Sequence, residues 1–298
     1  MYQIVKKKEL AKNIYFMDVK ASRIAKAARP GQFIIAKINE QGERIPLTIC
    51  DYDSEREIIT IVFQVVGEST RKMSMLNKGD YFRDFVGPLG VESELVHESI
   101  EDLKNKKILF VAGGVGVAPI YPQVKWLNSK GVKADVIMGA KNKDMLIFEE
   151  EIKSVAGNLY ITTDDGSYGV KGLVTDKIND LINNEGRKYD LVVAIGPMIM
   201  MKFVALLTKK LNIPTVVSLN PIMVDGTGMC GACRVTVEGQ VRFACVHGPE
   251  FDGHKIDFDE AMRRQNIYKT EEGRKYLKHI EGKTHSGGCG ICGGKQYE

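Results

Sequence analysis

Three cysteines lie in one short glycine-rich stretch, VDGTGMCGACRVTVEGQVRFAC, which covers residues 224–245. Cys230 and Cys233 form a CxxC pair, and Cys245 follows after eleven intervening residues. A closed metal site usually takes four ligands, so three thiolates leave one place to fill. Asp225 precedes Cys230 with four residues between them, and its carboxylate can serve as the fourth ligand.

The resulting spacing, D-x4-C-x2-C-x11-C, predicts a 2Fe–2S cluster. Proteins of the plant ferredoxin type space their ligands as C-x4-C-x2-C, with a more distant fourth cysteine. Glycines at 226, 228 and 231 let the loop turn tightly around such a cluster. Two other interpretations stay open. In the first, Asp225 only caps a turn. In the second, the cysteines hold a structural zinc together with Asp225, His247 or His254.

Two segments of the first hundred residues are candidates for binding a flavin. ERIPLTICDYD places Arg44 shortly before Thr48, where a guanidinium suits a diphosphate and a hydroxyl can meet the edge of a flavin ring. VGESTRKM puts Gly67, Ser69 and Thr70 at the start of a predicted helix, whose N-terminus attracts anions. The alternatives are a solvated arginine beside an edge-strand proline and a simple helix N-cap.

The segment FVAGGVGVAPIYP has the pattern of a strand, a glycine-rich turn and the start of a helix. Gly114 and Gly116 would let the backbone approach a pyrophosphate, whose charge faces the helix N-terminus. The alternative is that these glycines only allow the strand and the helix to pack closely.

The coenzyme preference depends on charges that follow two predicted strands. Asp164 and Asp165 follow the third strand of the series, and acidic groups near a ribose favour NAD(H). Lys141 and Lys143 follow the second strand and would favour a 2′-phosphate instead. We expect NAD(H), with NADP(H) left open.

Two patterns of predicted secondary structure divide the chain. Short runs of branched and aromatic residues, separated by turn residues, fill the first hundred residues and predict a β-sandwich or a small barrel. From about residue 104, apolar runs alternate with helical stretches, which predicts a parallel sheet with helices on both faces. Ligands of such sheets lie at the carboxyl ends of the strands.

The composition excludes several classes of protein. The chain has 298 residues, 44% of them hydrophobic and 27% charged, which is enough for more than one domain core. It contains no apolar run of membrane-spanning length and no signal peptide, and its net charge of +4 does not imply nucleic acid. Two CxxC pairs without an export signal favour metal or redox sites in a reducing cytoplasm.

Together, RIPLT, VGEST, GGVGVAP and the glycine-rich cysteine loop resemble the ferredoxin–NADP reductase superfamily over roughly residues 1–260. The position of the cysteine loop after the nucleotide-binding segment is similar to that in the electron-transfer subunits of dihydroorotate dehydrogenase type B and their relatives. NPIMVDGTGMCGACRV is most similar to the small subunits of electron-bifurcating oxidoreductases that join NADH, NADPH and ferredoxin. The dihydroorotate members have a cysteine in place of Asp225, which argues against that identity.

The resemblance implies four parts. These are a six-stranded antiparallel FAD-binding barrel at 1–100, an NAD-binding α/β domain at 101–218, a 2Fe–2S subdomain at 219–258, and a C-terminal helix with a cysteine-containing tail at 259–298. The residues implied to face FAD are Arg44, Pro46, Leu47, Thr48, Gly67, Ser69 and Thr70. Those implied to face NAD(H) are Gly114, Gly116, Asp164, Asp165 and Gly196, and the implied cluster ligands are Asp225, Cys230, Cys233 and Cys245.

The implied function is electron transfer between NAD(H), FAD, the cluster and a larger flavin and iron–sulfur partner subunit. Such chemistry needs no catalytic acid, base or nucleophile from the chain, and its five histidines carry no motif. One alternative is electron supply to a dihydroorotate or sulfide dehydrogenase. An alternative of another class is a zinc-stapled nucleotide-sensing module. Cys289, Cys292 and His285 could form a second metal site, but we favour a tail without metal.

Overall fold

The computed structural model describes residues 2–271 and residue 274. Its strands are β1 (Tyr2–Ala11), β2 (Ile14–Lys20), β3 (Phe33–Lys37), β4 (Ile45–Asp53), β5 (Ile58–Gln64), β6 (Tyr81–Phe82), β7 (Asp84–Leu89), β8 (Ile108–Gly113), β9 (Asp135–Ala140), β10 (Leu159–Thr163), β11 (Val170–Lys171), β12 (Leu191–Ile195), β13 (Thr215–Ser218), β14 (Arg234–Val237), β15 (Gln240–Phe243) and β16 (Glu250–Asp252).

Its α-helices are α1 (Ser22–Ala27), α2 (Glu68–Met75), α3 (Ile100–Asn105), α4 (Val117–Ser129), α5 (Glu149–Val155), α6 (Val174–Asn179), α7 (Met198–Lys210), α8 (Ala244–His247) and α9 (Phe258–Gln265). Short 3-10 helices cover Glu94–His97, Gly114–Gly116 and Lys143–Met145, and a π-helical turn covers Asp180–Asn184. His285, Cys289 and Cys292, the residues of the suggested second metal site, lie outside the described residues.

The N-terminal unit is a seven-stranded antiparallel sheet, in the order β6-β1-β2-β5-β4-β3-β7, that curls into a nearly closed barrel. Its tight β1–β2 hairpin turns at Lys12 and Asn13, and Asn13 adopts a φ of 63°, which its short polar side chain tolerates. Apolar side chains such as Ile34, Ile61 and Phe85 fill the interior. The predicted barrel is confirmed, with seven strands instead of six because Tyr81–Phe82 adds a short strand beside β1.

The second unit is a seven-stranded sheet in the order β11-β10-β9-β8-β12-β13-β16. Its strands run parallel except β16, which pairs antiparallel with β13. Every residue of β8 is buried, as expected for a strand covered by helices on both faces. Helices α4 and α5 pack on one face, and α6, α7 and α9 pack on the other. The predicted α/β arrangement is therefore confirmed.

The three-cysteine stretch lies between two strands of the parallel sheet and contacts the barrel. The chain leaves β13 at Ser218, forms the β14–β15 hairpin and returns through α8 and β16 to the edge of the parallel sheet. Met223 packs in one small apolar cluster with Phe33 and Ile35 of the barrel, so the start of this stretch rests on the barrel wall. Among the described residues, no helix combines the length and apolar character needed to cross a membrane.

Candidate functional site

Cys233 and Cys245 form a buried pair of free thiols whose sulfurs lie 3.2 Å apart. Two sulfurs bound to one tetrahedral metal at about 2.3 Å would lie about 3.8 Å apart. A small increase in the distance between the two sulfurs would therefore let this pair bind one metal ion. Burial, and then the contact with Cys233, raises the pKa of Cys245 to about 12. A bound metal would have to replace that proton, because metal ligands are thiolates.

Asp225 and Cys230 form a second, more exposed pair. The amide of Cys230 donates a hydrogen bond of 2.9 Å to Oδ2 of Asp225, and the amide of Thr227 donates one of 2.9 Å to Oδ1. The bond from Thr227, together with that from Cys230, lowers the pKa of the Asp225 carboxyl below its ordinary value. The carboxylate is thus held ionised on the side of the loop where the exposed Cys230 lies.

The donors fit a two-iron centre because they come as two pairs. A 2Fe–2S cluster takes two protein ligands on each iron, whereas a structural zinc gathers four ligands around one point. Among the described residues, no three His, Cys, Asp or Glu side chains already converge on a single metal position. The loop reverses direction through glycines 226, 228 and 231, all of which have the positive φ angles predicted for a tight wrap.

The two histidines that could complete a zinc site each have a partner on one ring nitrogen. Nδ1 of His247 lies 3.0 Å from the backbone amide of Phe243 and accepts its hydrogen bond. Nε2 of His254 lies 3.1 Å from the hydroxyl of Thr208, and burial lowers the pKa of this imidazole. Each imidazole therefore has one ring nitrogen engaged by a neighbouring group.

Arg44 contacts the cysteine loop. Its Nε donates a hydrogen bond of 2.7 Å to the carbonyl oxygen of Val224, and its Nη2 lies 3.4 Å from the carbonyl oxygen of Asp225. The sequence suggested a diphosphate contact for this guanidinium, and the spacing of residues gave no sign of a partner 180 positions away. Two of the five N–H donors are used in this way, which leaves the others for a phosphate.

The other predicted flavin residues of β4 alternate across the barrel wall. Pro46 and Thr48 are paired with Ile35 and Phe33 of β3, whereas the Leu47 side chain packs partly against the barrel core. Because side chains alternate along a strand, Leu47 can offer a ligand outside the barrel only its backbone.

At the N-terminus of α2, the predicted hydroxyls are already engaged. The Thr70 hydroxyl accepts hydrogen bonds from the amides of Val66 and Gly67, as an N-terminal cap does, and the Ser69 hydroxyl donates to Glu43. Gly67 has open space where a side chain would project. A cavity of about 310 Å³ lies beside Ser69, between α2 and the loop before Arg44.

The two glycine-rich turns of the nucleotide unit lie side by side at the carboxyl ends of β8 and β12. A Cβ on Gly116 would come within 2.1 Å of the Ile195 carbonyl oxygen, and one on Gly196 within 3.0 Å of Gly113. Gly114 is different, because its φ is 55° and a Cβ there would meet open space. Gly116 and Gly196 therefore serve close packing, whereas Gly114 borders room for a ligand.

The acidic and basic candidates for coenzyme preference meet at the same sheet edge. The amide of Asp165 donates to the carbonyl oxygen of Lys141 at 3.3 Å, which joins the turn after β10 to the turn after β9. A hydrogen bond from Ser167 lowers the pKa of Asp165, while Asp164 is exposed. The ammonium of Lys143 lies 5.2 Å from the centre of the Tyr168 ring. Acidic and basic side chains therefore both lie at the sheet edge where the ribose of a coenzyme would bind.

Met200 is a residue that sequence reasoning missed. Its sulfur would lie 2.4 Å from a Cβ on Gly113, and its methyl carbon 2.8 Å from a Cβ on Gly196. Met198 and Met201 of the same helix are buried in the core beneath α7. The GP turn directly before a methionine-rich helix was the available signal, but helix phase alone could not tell which methionine covers the glycines.

Two family descriptions match this chain. The iron–sulfur cluster binding domain of dihydroorotate dehydrogenase B matches residues 220–257. The oxidoreductase NAD-binding domain matches residues 110–205.

Three known proteins are similar to almost the whole chain. An uncharacterized protein in the adh 3′ region of Clostridium beijerinckii is 64% identical over 99% of this chain and 100% of its own length. A dihydroorotate dehydrogenase B (NAD(+)) electron transfer subunit homolog of Thermotoga maritima is 45% identical over 94% of this chain and 95% of its own. A solved structure of an NADH-dependent reduced ferredoxin–NADP oxidoreductase, studied for flavin-based electron bifurcation, is 44% identical with a TM-score of 0.85, and covers 94% of this chain and 98% of that one.

Proposed function

Because the chain belongs to the family of dihydroorotate dehydrogenase B electron-transfer subunits and their homologues, we propose that it is the NAD(H)-linked electron-transfer subunit of an oxidoreductase with a larger partner subunit. The nucleotide unit takes NAD(H), the barrel takes FAD and the cysteine loop takes a 2Fe–2S cluster. When bound, these groups supply hydride transfer and one-electron transfer, and the protein supplies their binding and spacing.

The observation that carries this proposal is the buried Cys233–Cys245 pair packed against the barrel. The sulfurs lie 3.2 Å apart and share an apolar cluster with Phe33 and Ile35 of β3. Phe33 is the strand partner of Thr48, one of the proposed flavin residues. The proposed cluster therefore lies on the wall that carries the proposed flavin site, as electron transfer between the two requires.

Within this proposal, residues 1–100 bind FAD, 101–218 bind NAD(H), 219–258 hold the cluster, and 259–298 form a C-terminal extension. The residues proposed for FAD are Arg44, Pro46, Leu47, Thr48, Gly67, Ser69 and Thr70, with Leu47 acting through its backbone. Those proposed for NAD(H) are Gly114, Gly116, Asp164, Asp165 and Gly196, with Gly116 and Gly196 acting by shaping the turns. The proposed cluster ligands are Asp225, Cys230, Cys233 and Cys245.

Exposed apolar side chains in the cysteine stretch support a partner subunit at the cluster. Met229 is 88% exposed, Val224 48% and Val246 38%, and all three belong to the cysteine loop or the helix that follows it. Contiguous exposed apolar side chains commonly mark protein interfaces. A partner that covers these side chains would come close to the Asp225–Cys230 side of the cluster.

We place the subunit in the cytoplasm and in an electron-bifurcating enzyme. The four described cysteines are free thiols, which suits a reducing compartment. The bifurcating assignment follows from the 44% identity to a chain of the NADH-dependent reduced ferredoxin–NADP oxidoreductase over nearly the whole length. The alternative partner, a dihydroorotate dehydrogenase, corresponds to the names of the curated relatives.

Anaerobic purification tests the proposal. We expect two irons, two inorganic sulfides and about one FAD per chain, and a visible spectrum that bleaches on titration with NADH. A colourless protein that contains zinc would overturn the proposal in favour of the nucleotide-sensing module. Coexpression with each candidate partner then distinguishes the two enzymes. A bifurcating enzyme would exchange electrons between NADH and NADPH plus ferredoxin, whereas a dihydroorotate dehydrogenase would exchange them between NADH and dihydroorotate.

A further inference from the structure

Arg44 joins the barrel to the chain on one side of Asp225. The guanidinium precedes β4, and its Nε and Nη2 face the successive carbonyl oxygens of Val224 and Asp225 at 2.7 and 3.4 Å. Arg44 is half-buried, so part of the charge is removed from water where it meets the loop. Hydrogen bonds from a charged donor are stronger than those between neutral groups, so the guanidinium holds the loop to the barrel more strongly than a neutral donor would.

Gly226 joins the barrel to the chain on the other side of Asp225. A Cβ at this position would lie 2.7 Å from Cδ1 of Ile35 and 2.8 Å from Cδ1 of Leu89, so the backbone itself rests on β3 and β7. Its φ of 79° also favours glycine. Asp225 is therefore held between a charged contact before it and a close backbone contact after it.

We infer that Arg44 is a positioning residue for the cluster ligand Asp225, in addition to any contact with the flavin. This inference rests on the proposed function, since it takes Asp225 as a ligand. Arg44 fixes the height of the loop above the barrel wall, and thereby the distance between cluster and flavin. Its positive charge next to a ligand also favours the reduced cluster, which carries one more negative charge.

The two effects of Arg44 can be separated by substitution. Arg44→Gln removes the charge and the paired donors, whereas Arg44→Lys keeps the charge but replaces the planar fork with one ammonium group. Arg23→Gln is the matched control, because Arg23 is an exposed arginine of the same barrel with no hydrogen bond or ion pair among the described residues.

Each variant is prepared anaerobically as the full chain with its cofactors. Iron, sulfide and flavin are counted, and the midpoint potential and electron paramagnetic resonance spectrum of the reduced cluster are recorded. Amide hydrogen exchange at Thr227 and Cys230, the two amides bonded to Asp225, is followed by mass spectrometry. For Arg44→Gln we expect a more negative potential, an altered spectrum and exchange about tenfold faster, the effect of losing one charge-assisted hydrogen bond. For Arg44→Lys we expect a nearly unchanged potential and faster exchange, and for Arg23→Gln no change.

A wild-type cluster signature and wild-type exchange in Arg44→Gln, with loss of flavin alone, would overturn the inference and leave Arg44 as a flavin ligand. If Arg44→Gln does not fold, unchanged exchange in Arg44→Lys overturns it equally. Absence of iron and sulfide from the wild-type protein would instead refute the proposed function. The exchange measurement would still decide whether Arg44 holds the loop.

Discussion

The sulfurs of Cys233 and Cys245 lie 3.2 Å apart in the interior although eleven residues separate them along the chain. A pair of thiols this close cannot ionise together without a cation between them, because two thiolates repel each other strongly in a buried site. In the proposed cluster site both sulfurs would be ligands, so the loss of either one should prevent assembly.

Cys233→Ser should therefore abolish cluster assembly, since a hydroxyl is a much weaker ligand for iron than a thiolate. We expect iron and sulfide contents to fall to less than a tenth of the wild-type values, with flavin retained. Cys50→Ala is the control, because Cys50 is also buried and free but lies in the core between the barrel and the nucleotide unit. Full iron content in Cys233→Ser would exclude this sulfur as a ligand.

Asp225→Cys tests the carboxylate as a ligand. A thiolate at this position should keep the cluster but change its spectrum and midpoint potential, because ligand charge and hardness set both. Asp225→Asn keeps the shape of the side chain and an oxygen acceptor for Thr227 or Cys230, and should lower the iron content. An unchanged spectrum and potential in Asp225→Cys would show that Asp225 only caps the loop.

Gly114→Ala and Gly116→Ala should separate binding from packing in the nucleotide unit. A methyl group on Gly116 meets the Ile195 carbonyl oxygen at 2.1 Å, so we expect a loss of stability of about 2 kcal/mol or more. A methyl group on Gly114 projects into open space, and its φ of 55° should cost only about 1 kcal/mol.

The affinity for NADH should fall in Gly114→Ala although this variant loses little stability. Gly114→Ala places its methyl group where the pyrophosphate would approach, so we expect at least a tenfold loss of affinity in a fluorescence titration. Gly186→Ala is the control for stability, because Gly186 also has a left-handed φ of 65°, a Cβ there has nothing within 4 Å, and the residue belongs to no proposed site. Unchanged NADH affinity in Gly114→Ala would remove this turn from the proposed binding site.

Local pattern was sufficient for the units of the fold and insufficient for contacts between them. The burial of β8 on both faces follows from its unbroken run of apolar residues, and the short strands between turn residues limited the first unit to a sandwich or a barrel. The cysteine spacing likewise selected Asp225, Cys230, Cys233 and Cys245 as candidate donors, and their role as ligands stays a prediction. These features depend on residues close in sequence, so their period and spacing are sufficient to predict them.

Contacts between distant segments left no such signal. Nothing in RIPLT indicates that Arg44 bonds to a carbonyl oxygen 180 residues later, because a backbone oxygen is present at every position. The role of Met200 depends on which face of α7 points at Gly113, and three methionines stand within four positions there. Glu250 is a third case, since its partners come from two other units of the chain.

Glu250 gives the fold a predicted dependence on pH. Its Oε1 accepts a hydrogen bond of 2.6 Å from Nε2 of Gln123 in α4, and Oε1 of Gln123 accepts one of 3.3 Å from the Ser93 hydroxyl after the barrel. Burial raises the pKa of the Glu250 carboxyl to about 7, against the opposing hydrogen bonds from Ser93 and Gln123 and with a further increase from nearby Glu94. The junction of the three units therefore favours the protonated acid.

The raised pKa of Glu250 determines how the stability of the fold changes with pH. The folded state binds the proton more tightly than the unfolded state, so the stabilisation is complete below pH 4.5 and is lost as the pH rises to 7. At 1.36 kcal/mol per pH unit, the loss is at most about 3 kcal/mol. Glu250→Gln stays neutral at every pH and can still accept the bond from Gln123, so it should lack this loss.

Denaturant unfolding of both proteins at pH 5 and pH 8 measures the difference. Relative to Glu250→Gln, the wild-type protein should lose about 2 kcal/mol between these two values, because part of the titration is complete by pH 5. Glu94→Gln is the control, since Glu94 is exposed beside the same junction and should leave most of the wild-type pH dependence in place. Parallel pH profiles for wild type and Glu250→Gln would mean that water reaches the carboxylate and that this junction does not sense protons.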